Sequence, residues 1–178
     1  MSEFLFVRHG QSQANEDNTI AGPMSPLTQK GMEQAKEAGQ NLVGEFITTI
    51  ICSPLLRAKQ TAEIIAREIG IRPEMIRVID TLSERDYGTL IDQPKTHPTE
   101  WYTIQDIPSV ETADDLFERM SHCLETIKHE AQNEHLLVVG HFISGFYLAQ
   151  IAHQKISPDS FDIIPNIHNA EVVRIPLQ

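Results

Sequence analysis

The sequence predicts a single α/β domain over residues 1–178, built as a three-layer α/β/α sandwich with a mostly parallel central sheet and helices on both faces. Short apolar runs alternate along the chain with segments of helical periodicity. The runs are uniformly apolar, as expected for strands that are covered on both faces. The chain has 178 residues, of which 40% are hydrophobic, enough for one sizeable core and hardly enough for two.

Four apolar runs predict buried strands, at residues 4–7, 49–52, 76–79 and 136–139. Residues 170–175 predict a last strand. Pro176 follows it and cannot donate a hydrogen bond to a neighbouring strand, so we expect this strand at an edge of the sheet.

Helical periodicity predicts four helices between these strands. The first runs from its cap Thr28 to about residue 46, with one apolar face made of Met32, Ala35, Gly39, Leu42, Val43 and Phe46. The second covers residues 55–69 and ends at Gly70. The third begins at Thr112, with Asp115 completing a variant capping box, and buries the stripe Leu116, Met120, Cys123, Leu124 and Ile127. The fourth covers residues 143–154.

Residues 85–110 fit neither a strand nor a helix pattern. The segment holds three of the prolines and the single tryptophan, Trp101. A long irregular stretch within a compact domain is typical of a lid or a substrate-binding loop, and we expect that role here.

Charge and composition exclude several classes of function. The net charge of −11 predicts repulsion from nucleic acids and from anionic membranes. No apolar run is long enough for a membrane span, and no basic segment precedes the first one as in a signal peptide. Cys52 and Cys123 stand far apart, which indicates reduced core thiols and a cytoplasmic protein. The oligomeric state is left open.

Cationic side chains follow the predicted strands at the points where they end. Arg8 and His9 follow the first strand, Arg57 lies in the first turn of the helix after the second, and His141 follows the fourth. Ligands of open α/β sheets bind outside the carboxyl ends of the strands. If these strands are neighbours, two histidines and two arginines therefore converge on one edge.

This set of side chains suits a phosphoryl group. Two guanidinium groups can bind its oxygens bidentately. A neutral imidazole can attack phosphorus and form a phosphohistidine, while a second, protonated histidine helps to hold the equatorial oxygens. A general acid must protonate the leaving group, and Glu84 in "TLSERDYG" is the best candidate.

Six motifs occur in order along the chain: "LFVRHGQSQAN", "SPLTQKGMEQA", "CSPLLRAKQTAEII", "LSERDYG", "VETADDLFERM" and "VVGHF". Together they resemble the histidine phosphatase superfamily, the phosphoglycerate-mutase-like proteins. The resemblance implies that His9 is the nucleophile and Glu84 the proton donor. It also implies that Arg8, Arg57 and His141 bind the phosphoryl group with Asn15 as a further donor, and it implies no metal or organic cofactor.

The sequence departs from the family pattern near the expected substrate. Phe142 follows the second histidine where glycine is common, and its ring is expected to narrow the pocket. The arginine frequent a few residues later is absent, and Leu90, Ile91 and Asp92 replace the usual tryptophan-glutamate-glycine. We expect these positions to shape substrate choice.

Tyr87 and Lys95 resemble the substrate contacts of the cofactor-dependent mutases. After Arg85, however, the segment up to Glu111 contains no arginine, and a doubly anionic ligand needs more cationic partners. The sequence therefore favours a phosphatase acting on a small phosphorylated metabolite, or on a phosphoprotein, over a phosphoglycerate mutase. A non-catalytic module that binds phosphate or phosphopeptides remains a third hypothesis, although a binder needs neither a nucleophile nor an acid.

Overall fold

A computed structural model describes residues 3–95, 107–153 and 167–177. Its strands are β1 (Glu3–Arg8), β2 (Thr49–Cys52), β3 (Arg77–Val78), β4 (Leu136–Gly140) and β5 (Val172–Pro176). Its α-helices are α1 (Gln13–Glu16), α2 (Gln29–Asn41), α3 (Leu56–Glu68), α4 (Ala113–Glu130) and α5 (Phe142–Ala152). The predicted alternation of strands and helices is confirmed.

The five strands form one sheet in the order β3-β2-β4-β1-β5. Strands β1 to β4 are parallel, and β5 runs antiparallel to β1. Strand β5 lies at an edge of the sheet, as predicted. Arg8 lies opposite Gly140, and Cys52 lies opposite Val139. This register brings the carboxyl ends of β1, β2 and β4 to the same edge of the sheet.

Alternate residues of each inner strand pack against helices on opposite faces of the sheet. Phe4 and Phe6 of β1 join the core beneath α4 and α5, whereas Leu5 and Val7 join the core beneath α2 and α3. A Cβ atom added at Gly145 would lie 2.4 Å from the ring of Phe6, so only glycine allows α5 to approach β1 this closely. The three-layer architecture is confirmed.

The predicted helix starts are confirmed, and two of them carry side-chain caps. Thr28 Oγ1 accepts a hydrogen bond from the Gly31 N–H at 3.0 Å, and Thr112 Oγ1 accepts one from the Asp115 N–H at 3.1 Å. Gly70 has a φ of +79°, the left-handed conformation expected just beyond a helix end. All five residues of the predicted α4 stripe are buried.

Two predicted elements are wrong in extent. Helix α2 ends at Asn41, and Val43 and Phe46 are exposed because the chain turns back toward β2 through Gly44, which has a φ of +97°. Met32 is also 38% exposed, so the predicted apolar face is narrower than expected. Strand β3 has only the two residues Arg77 and Val78, and both are exposed because it is an edge strand that pairs with β2 alone.

The predicted substrate segment, residues 85–110, is described only outside residues 96–106. Its first part contains a 3₁₀ turn at Gly88–Leu90 and then pairs with the loop after α1. Thr19 forms a bridge with Pro94, and the Lys95 N–H donates to the Asn18 carbonyl at 2.9 Å. These contacts fix the backbone of Lys95. Of the helices described, none has both the length and the apolar character needed to cross a membrane.

Candidate active site

A cavity of about 110 Å³ lies beyond the carboxyl ends of β1, β2 and β4. Its walls are formed by Arg8, His9, Asn15, Ile20, Ala21, Arg57, Glu84, Tyr87, Lys95 and Phe142. The walls therefore include every predicted catalytic and substrate-binding residue except His141, whose ring centroid lies 5.1 Å from that of His9. Leu90, Ile91 and Asp92, which were expected to shape substrate choice, do not line this cavity. Three of the lining side chains are cationic and one is a carboxylate, so the local charge is opposite to the net charge of −11.

The two ring nitrogens of His9 have different partners. Nδ1 lies 2.7 Å from the Gly10 carbonyl oxygen, which can only accept a hydrogen bond, so Nδ1 carries the proton. Nε2 accepts a hydrogen bond from Arg57 Nε at 3.1 Å, so Nε2 carries the lone pair. Burial, followed by the charges of Arg57 and Arg8, lowers the pKa of His9 well below its ordinary value. His9 is thus a neutral imidazole with its lone pair on Nε2.

The backbone around His9 is held from three sides. The Gly10 N–H donates to Thr61 Oγ1 at 3.1 Å, and Asn169 Nδ2 donates to the His9 carbonyl at 3.0 Å. A Cβ atom added at Gly10 would lie 2.3 Å from the carbonyl oxygen of Gly31, so the loop lies directly against the first turn of α2. The imidazole is therefore preorganised.

Arg57 is a buried cation in the first turn of α3. Only 2% of it is exposed, and its Nη1 donates to the Gly22 carbonyl at 2.9 Å. Burial lowers the pKa of Arg57 to about 10, with the charge of Glu84 opposing this effect and that of Arg8 adding to it. Arg57 remains protonated at neutral pH. Burying a charge without a carboxylate partner in direct contact is costly, so this placement is typical of an anion site.

Arg8 and Phe142 form another part of the wall. The Arg8 guanidinium carbon lies 5.0 Å from the centroid of the Phe142 ring, and Arg8 Nη1 donates to the Ile167 carbonyl at 2.7 Å. The cation–π contact is worth about 0.5–2 kcal/mol. Phe142 thus orients Arg8 besides narrowing the cavity.

Glu84 accepts hydrogen bonds from the first turn of α5. Its Oε2 accepts from the Ile143 N–H at 3.1 Å and its Oε1 from the Ser144 N–H at 3.0 Å. Oε1 also accepts from the Arg85 N–H at 3.1 Å. These three N–H donors fix the carboxyl group of Glu84 at the cavity.

A bidentate ion pair holds the loop that carries Glu84. Arg119 Nε and Nη2 each lie 2.8 Å from a carboxylate oxygen of Glu111. Arg119 Nη1 also donates to the carbonyls of Thr81 and Ser83, at 2.7 and 2.9 Å. Residues of α4 therefore determine where Glu84 lies.

His141 is completely buried, and its Nε2 lies 2.7 Å from Ser53 Oγ. Burial, followed by the charges of Arg57 and His9, lowers the pKa of His141 well below its ordinary value. The lowered pKa favours a neutral ring, whereas the sequence led us to expect a protonated histidine that holds the phosphoryl oxygens.

Lys95, Tyr87 and Asn15 complete the part of the cavity assigned to substrate. Burial, followed by the charge of Arg8, lowers the pKa of Lys95. Tyr87 is buried in a small cluster with Ile20 and Val110. The Asn15 side-chain oxygen accepts from the Ser12 N–H at 3.1 Å, which directs its NH₂ group away from Ser12 and leaves that group as a possible donor to a ligand.

The model of the histidine phosphatase superfamily (branch 1) matches residues 4–178 of this chain. The chain belongs to the histidine phosphatase superfamily. It is 32% identical over 142 residues to the uncharacterized phosphatase PhoE of Bacillus subtilis, covering 79% of this chain and 72% of that protein. It is 36% identical over 156 residues to the probable phosphoglycerate mutase GpmB of Salmonella arizonae, covering 81% of this chain and 71% of that protein.

Among solved structures, Bacillus stearothermophilus YhfR superposes on this histidine phosphatase family member with a TM-score of 0.85. That alignment covers 100% of this chain and 92% of YhfR at 21% identity. It shows that the fold is shared.

Sequence reasoning missed several residues that support the site, among them Ser53, which contacts His141, and the pair Glu111 and Arg119, which holds the loop of Glu84. Ser53 could have been found, because it directly follows a predicted strand, and His9 and His141 lie two residues beyond the ends of theirs. The Glu111–Arg119 pair lies within a recognised motif, but its contact with the loop that carries Glu84 depends on the packing of α4.

Proposed function

We propose that this protein is a phosphatase that hydrolyses a phosphomonoester through a covalent phosphohistidine on His9, with Glu84 as the proton donor. One observation carries the proposal. The lone pair of His9 is fixed on Nε2, since Nδ1 donates to Gly10 and Nε2 accepts from Arg57. A neutral, fixed imidazole beside buried guanidinium groups has the properties of a nucleophile for phosphorus.

In the first step the Nε2 lone pair attacks phosphorus, and the bond from phosphorus to the ester oxygen breaks. Arg57 transfers its hydrogen bond from Nε2 to a phosphoryl oxygen, and Arg8, His141 and Asn15 supply further donors. Their charges and dipoles are already in place before the reaction, which is the main requirement of phosphoryl transfer.

Glu84, carrying a proton, donates it to the leaving oxygen, which departs as an alcohol. In the second step Glu84, now a carboxylate, removes a proton from water as the water attacks phosphorus and releases His9 and inorganic phosphate.

A small phosphorylated metabolite is the proposed substrate. The cavity of about 110 Å³ has room for little beyond a phosphoryl group in its inner part, and Lys95 lies on the wall as an additional cation. A phosphoprotein is the second possibility. We place the protein in the cytoplasm because both cysteines, Cys52 and Cys123, are buried and free.

Phosphoglycerate mutase activity is the alternative, supported by the similarity to a probable mutase and by Lys95 in the cavity wall. A mutase must hold two anionic groups. In the described part of the segment after Glu84 the one arginine, Arg85, donates its Nε to the Glu111 carbonyl at 2.9 Å and does not line the cavity. Lys95 alone is then the additional cation, which favours the phosphatase.

The test is a panel of phosphorylated metabolites assayed for phosphate release, with 3-phosphoglycerate plus 2,3-bisphosphoglycerate assayed for mutase activity. The wild type is expected to release phosphate from monophosphates, and His9→Asn is expected to abolish release. His122→Asn is the matched control, because His122 is exposed on α4. Isomerisation of phosphoglycerate faster than hydrolysis of every monophosphate would establish the mutase instead. A wild type that releases no phosphate but binds it would favour the non-catalytic module.

A further inference from the structure

Ser53 is a buried hydroxyl in a fixed position directly after β2. None of it is exposed, and its N–H donates to the Val139 carbonyl at 3.0 Å. Its Oγ accepts a hydrogen bond from the Leu55 N–H at 3.2 Å. One lone pair of the hydroxyl is therefore occupied, and its proton needs an acceptor.

Among the described residues, the one acceptor within reach of that proton is Nε2 of His141, at 2.7 Å. The other ring nitrogen, Nδ1, is buried and has no hydrogen-bond partner in the described part of the chain. A buried polar atom without a partner is unusual and needs an explanation.

The positions of the protons follow from these contacts. A neutral imidazole has one N–H and one lone pair. If Nε2 carried the hydrogen, the Ser53 hydroxyl proton would have no acceptor and Nδ1 would be an unpaired acceptor. If the Ser53 hydroxyl donates to Nε2, both Ser53 and Nε2 are satisfied and the hydrogen lies on Nδ1.

We propose that Ser53 is a positioning residue that fixes His141 in the Nδ1–H tautomer, so that a neutral His141 donates a hydrogen bond to the transferred phosphoryl group. The role in catalysis rests on the proposed phosphatase function. In the opposite tautomer, the lone pair on Nδ1 would repel the phosphoryl oxygens instead of donating a hydrogen bond to them. The His141 ring lies 5.1 Å from the His9 ring, measured between ring centroids. We therefore assign an oxygen of a phosphoryl group on His9 as the acceptor of the hydrogen bond from His141 Nδ1.

Two neutral imidazoles then perform opposite tasks because of their second partners. Gly10 holds the proton of His9 on Nδ1, which leaves Nε2 as a lone pair for attack. Ser53 holds the proton of His141 on Nδ1, which makes that atom a donor. Neither task needs a protonated ring, consistent with the burial of both side chains.

The experiment combines a direct measurement of the tautomer with kinetics. Long-range ¹H–¹⁵N NMR of the full, unliganded chain is expected to show His141 protonated on Nδ1. Ser53→Ala is expected to convert a substantial fraction to the Nε2–H form and to lower kcat about tenfold to a hundredfold. This is less than the loss of roughly a hundredfold to a thousandfold for a removed transition-state donor, because only part of the His141 population changes its tautomer. Ser53→Thr keeps the hydroxyl and is expected to restore the wild-type tautomer and most of kcat.

Ser121→Ala is the matched control, because Ser121 Oγ donates to the Phe117 carbonyl on the same helix, α4, at 2.7 Å and bonds to no other described residue. It is expected to change neither readout. A wild-type His141 protonated on Nε2 overturns the proposal, as does a Ser53→Ala variant with an unchanged tautomer and unchanged kcat. The wild-type spectrum keeps the proposal testable even if the variants do not fold.

The proposal and the phosphatase function can fail separately. If the wild type hydrolyses no ester, the phosphatase proposal fails. The affinity for vanadate is then measured in place of kcat. Ser53→Ala is expected to weaken vanadate binding about tenfold. Vanadate affinity that is equal in both proteins, with an unchanged tautomer, overturns the role of Ser53.

Discussion

Arg57 donates its Nε–H to Nε2 of His9 over 3.1 Å, although both side chains are buried and one is a cation. The contact has two consequences. It fixes the nucleophilic lone pair on Nε2, and it places a guanidinium group where the negative charge of a phosphoryl group would lie. The bound ligand would replace His9 as the partner of Arg57.

Arg57→Lys tests the guanidinium itself. Lysine keeps the charge but cannot bind a phosphoryl group bidentately, so kcat/KM for a monophosphate is expected to fall about a hundredfold or more. Arg67→Lys is the control, because Arg67 lies on the same helix and pairs with Glu63 at the surface. Steady-state kinetics measure both. Equal activity of Arg57→Lys and wild type would contradict the assigned role.

Glu84→Gln tests the proton donor. Alkyl phosphates need a proton on the leaving oxygen, whereas p-nitrophenyl phosphate has a leaving group that departs without one. We expect kcat to fall about a hundredfold for an alkyl phosphate and less than about tenfold for the aryl ester. Glu118→Gln, at an exposed position of α4, is the control. Equal losses for the two substrates would show that Glu84 acts by fixing α5.

The free energy of unfolding is expected to decrease as the pH falls below about 6.5. Burial lowers the pKa of His9 and of His141, while both return to the ordinary value of 6.5 in the unfolded chain. Below pH 6.5 the unfolded state therefore binds protons that the native state does not, and each histidine removes up to about 1.4 kcal/mol per pH unit.

Urea unfolding between pH 5 and 7.5 measures this slope. His141→Asn is expected to remove about half of the contribution from the two buried histidines, whatever its effect on stability at pH 7.5. His122→Asn replaces an exposed histidine and is expected to leave the slope unchanged. A His141→Asn slope equal to that of the wild type would mean that His141 is charged in the native state.

Arg119→Lys tests whether α4 positions Glu84. Lysine cannot reproduce the contacts to Glu111 and to the carbonyls of Thr81 and Ser83, so the loop loses several partly buried hydrogen bonds. We expect a loss of about 1–3 kcal/mol in the free energy of unfolding. We also expect a larger fall in kcat for alkyl phosphates than for p-nitrophenyl phosphate, as for Glu84→Gln.

Arg174→Lys is the matched control for that change, since Arg174 pairs with Glu3 and Glu45 at the surface. Surface ion pairs contribute about 0–1 kcal/mol, so little change is expected. If Arg119→Lys lowers kcat equally for both substrates, the ion pair stabilises the fold without serving the acid.

The sequence predicted those site residues that lie at the carboxyl ends of strands. His9 and His141 follow continuous apolar runs, and parallel neighbours necessarily bring such positions to one edge. The extent of α2 was less predictable, because Val43 and Phe46 continue its apolar periodicity although Gly44 turns the chain away. The apolar periodicity of a segment does not show where the chain leaves the helix and turns toward the next strand.

Contacts between distant segments could not be predicted from periodicity. The hydrogen bond from Ser53 to His141 depends on β2 and β4 being neighbours in register, and that from Arg119 to Ser83 depends on how α4 packs. The lowered pKa of His141 could not be predicted for the same reason, since it depends on complete burial beside Arg57. Such effects arise only when the layers are assembled.

Trapping the intermediate tests the central claim most directly. The full chain is mixed with a ³²P-labelled phosphomonoester that it hydrolyses, quenched within milliseconds in denaturant at alkaline pH, and digested for mass spectrometry. We predict a phosphate on His9 that is stable in alkali and labile in acid, and no label in His9→Asn. Rapid phosphate release by the wild type with no labelled histidine, or with label on another residue, would contradict the account.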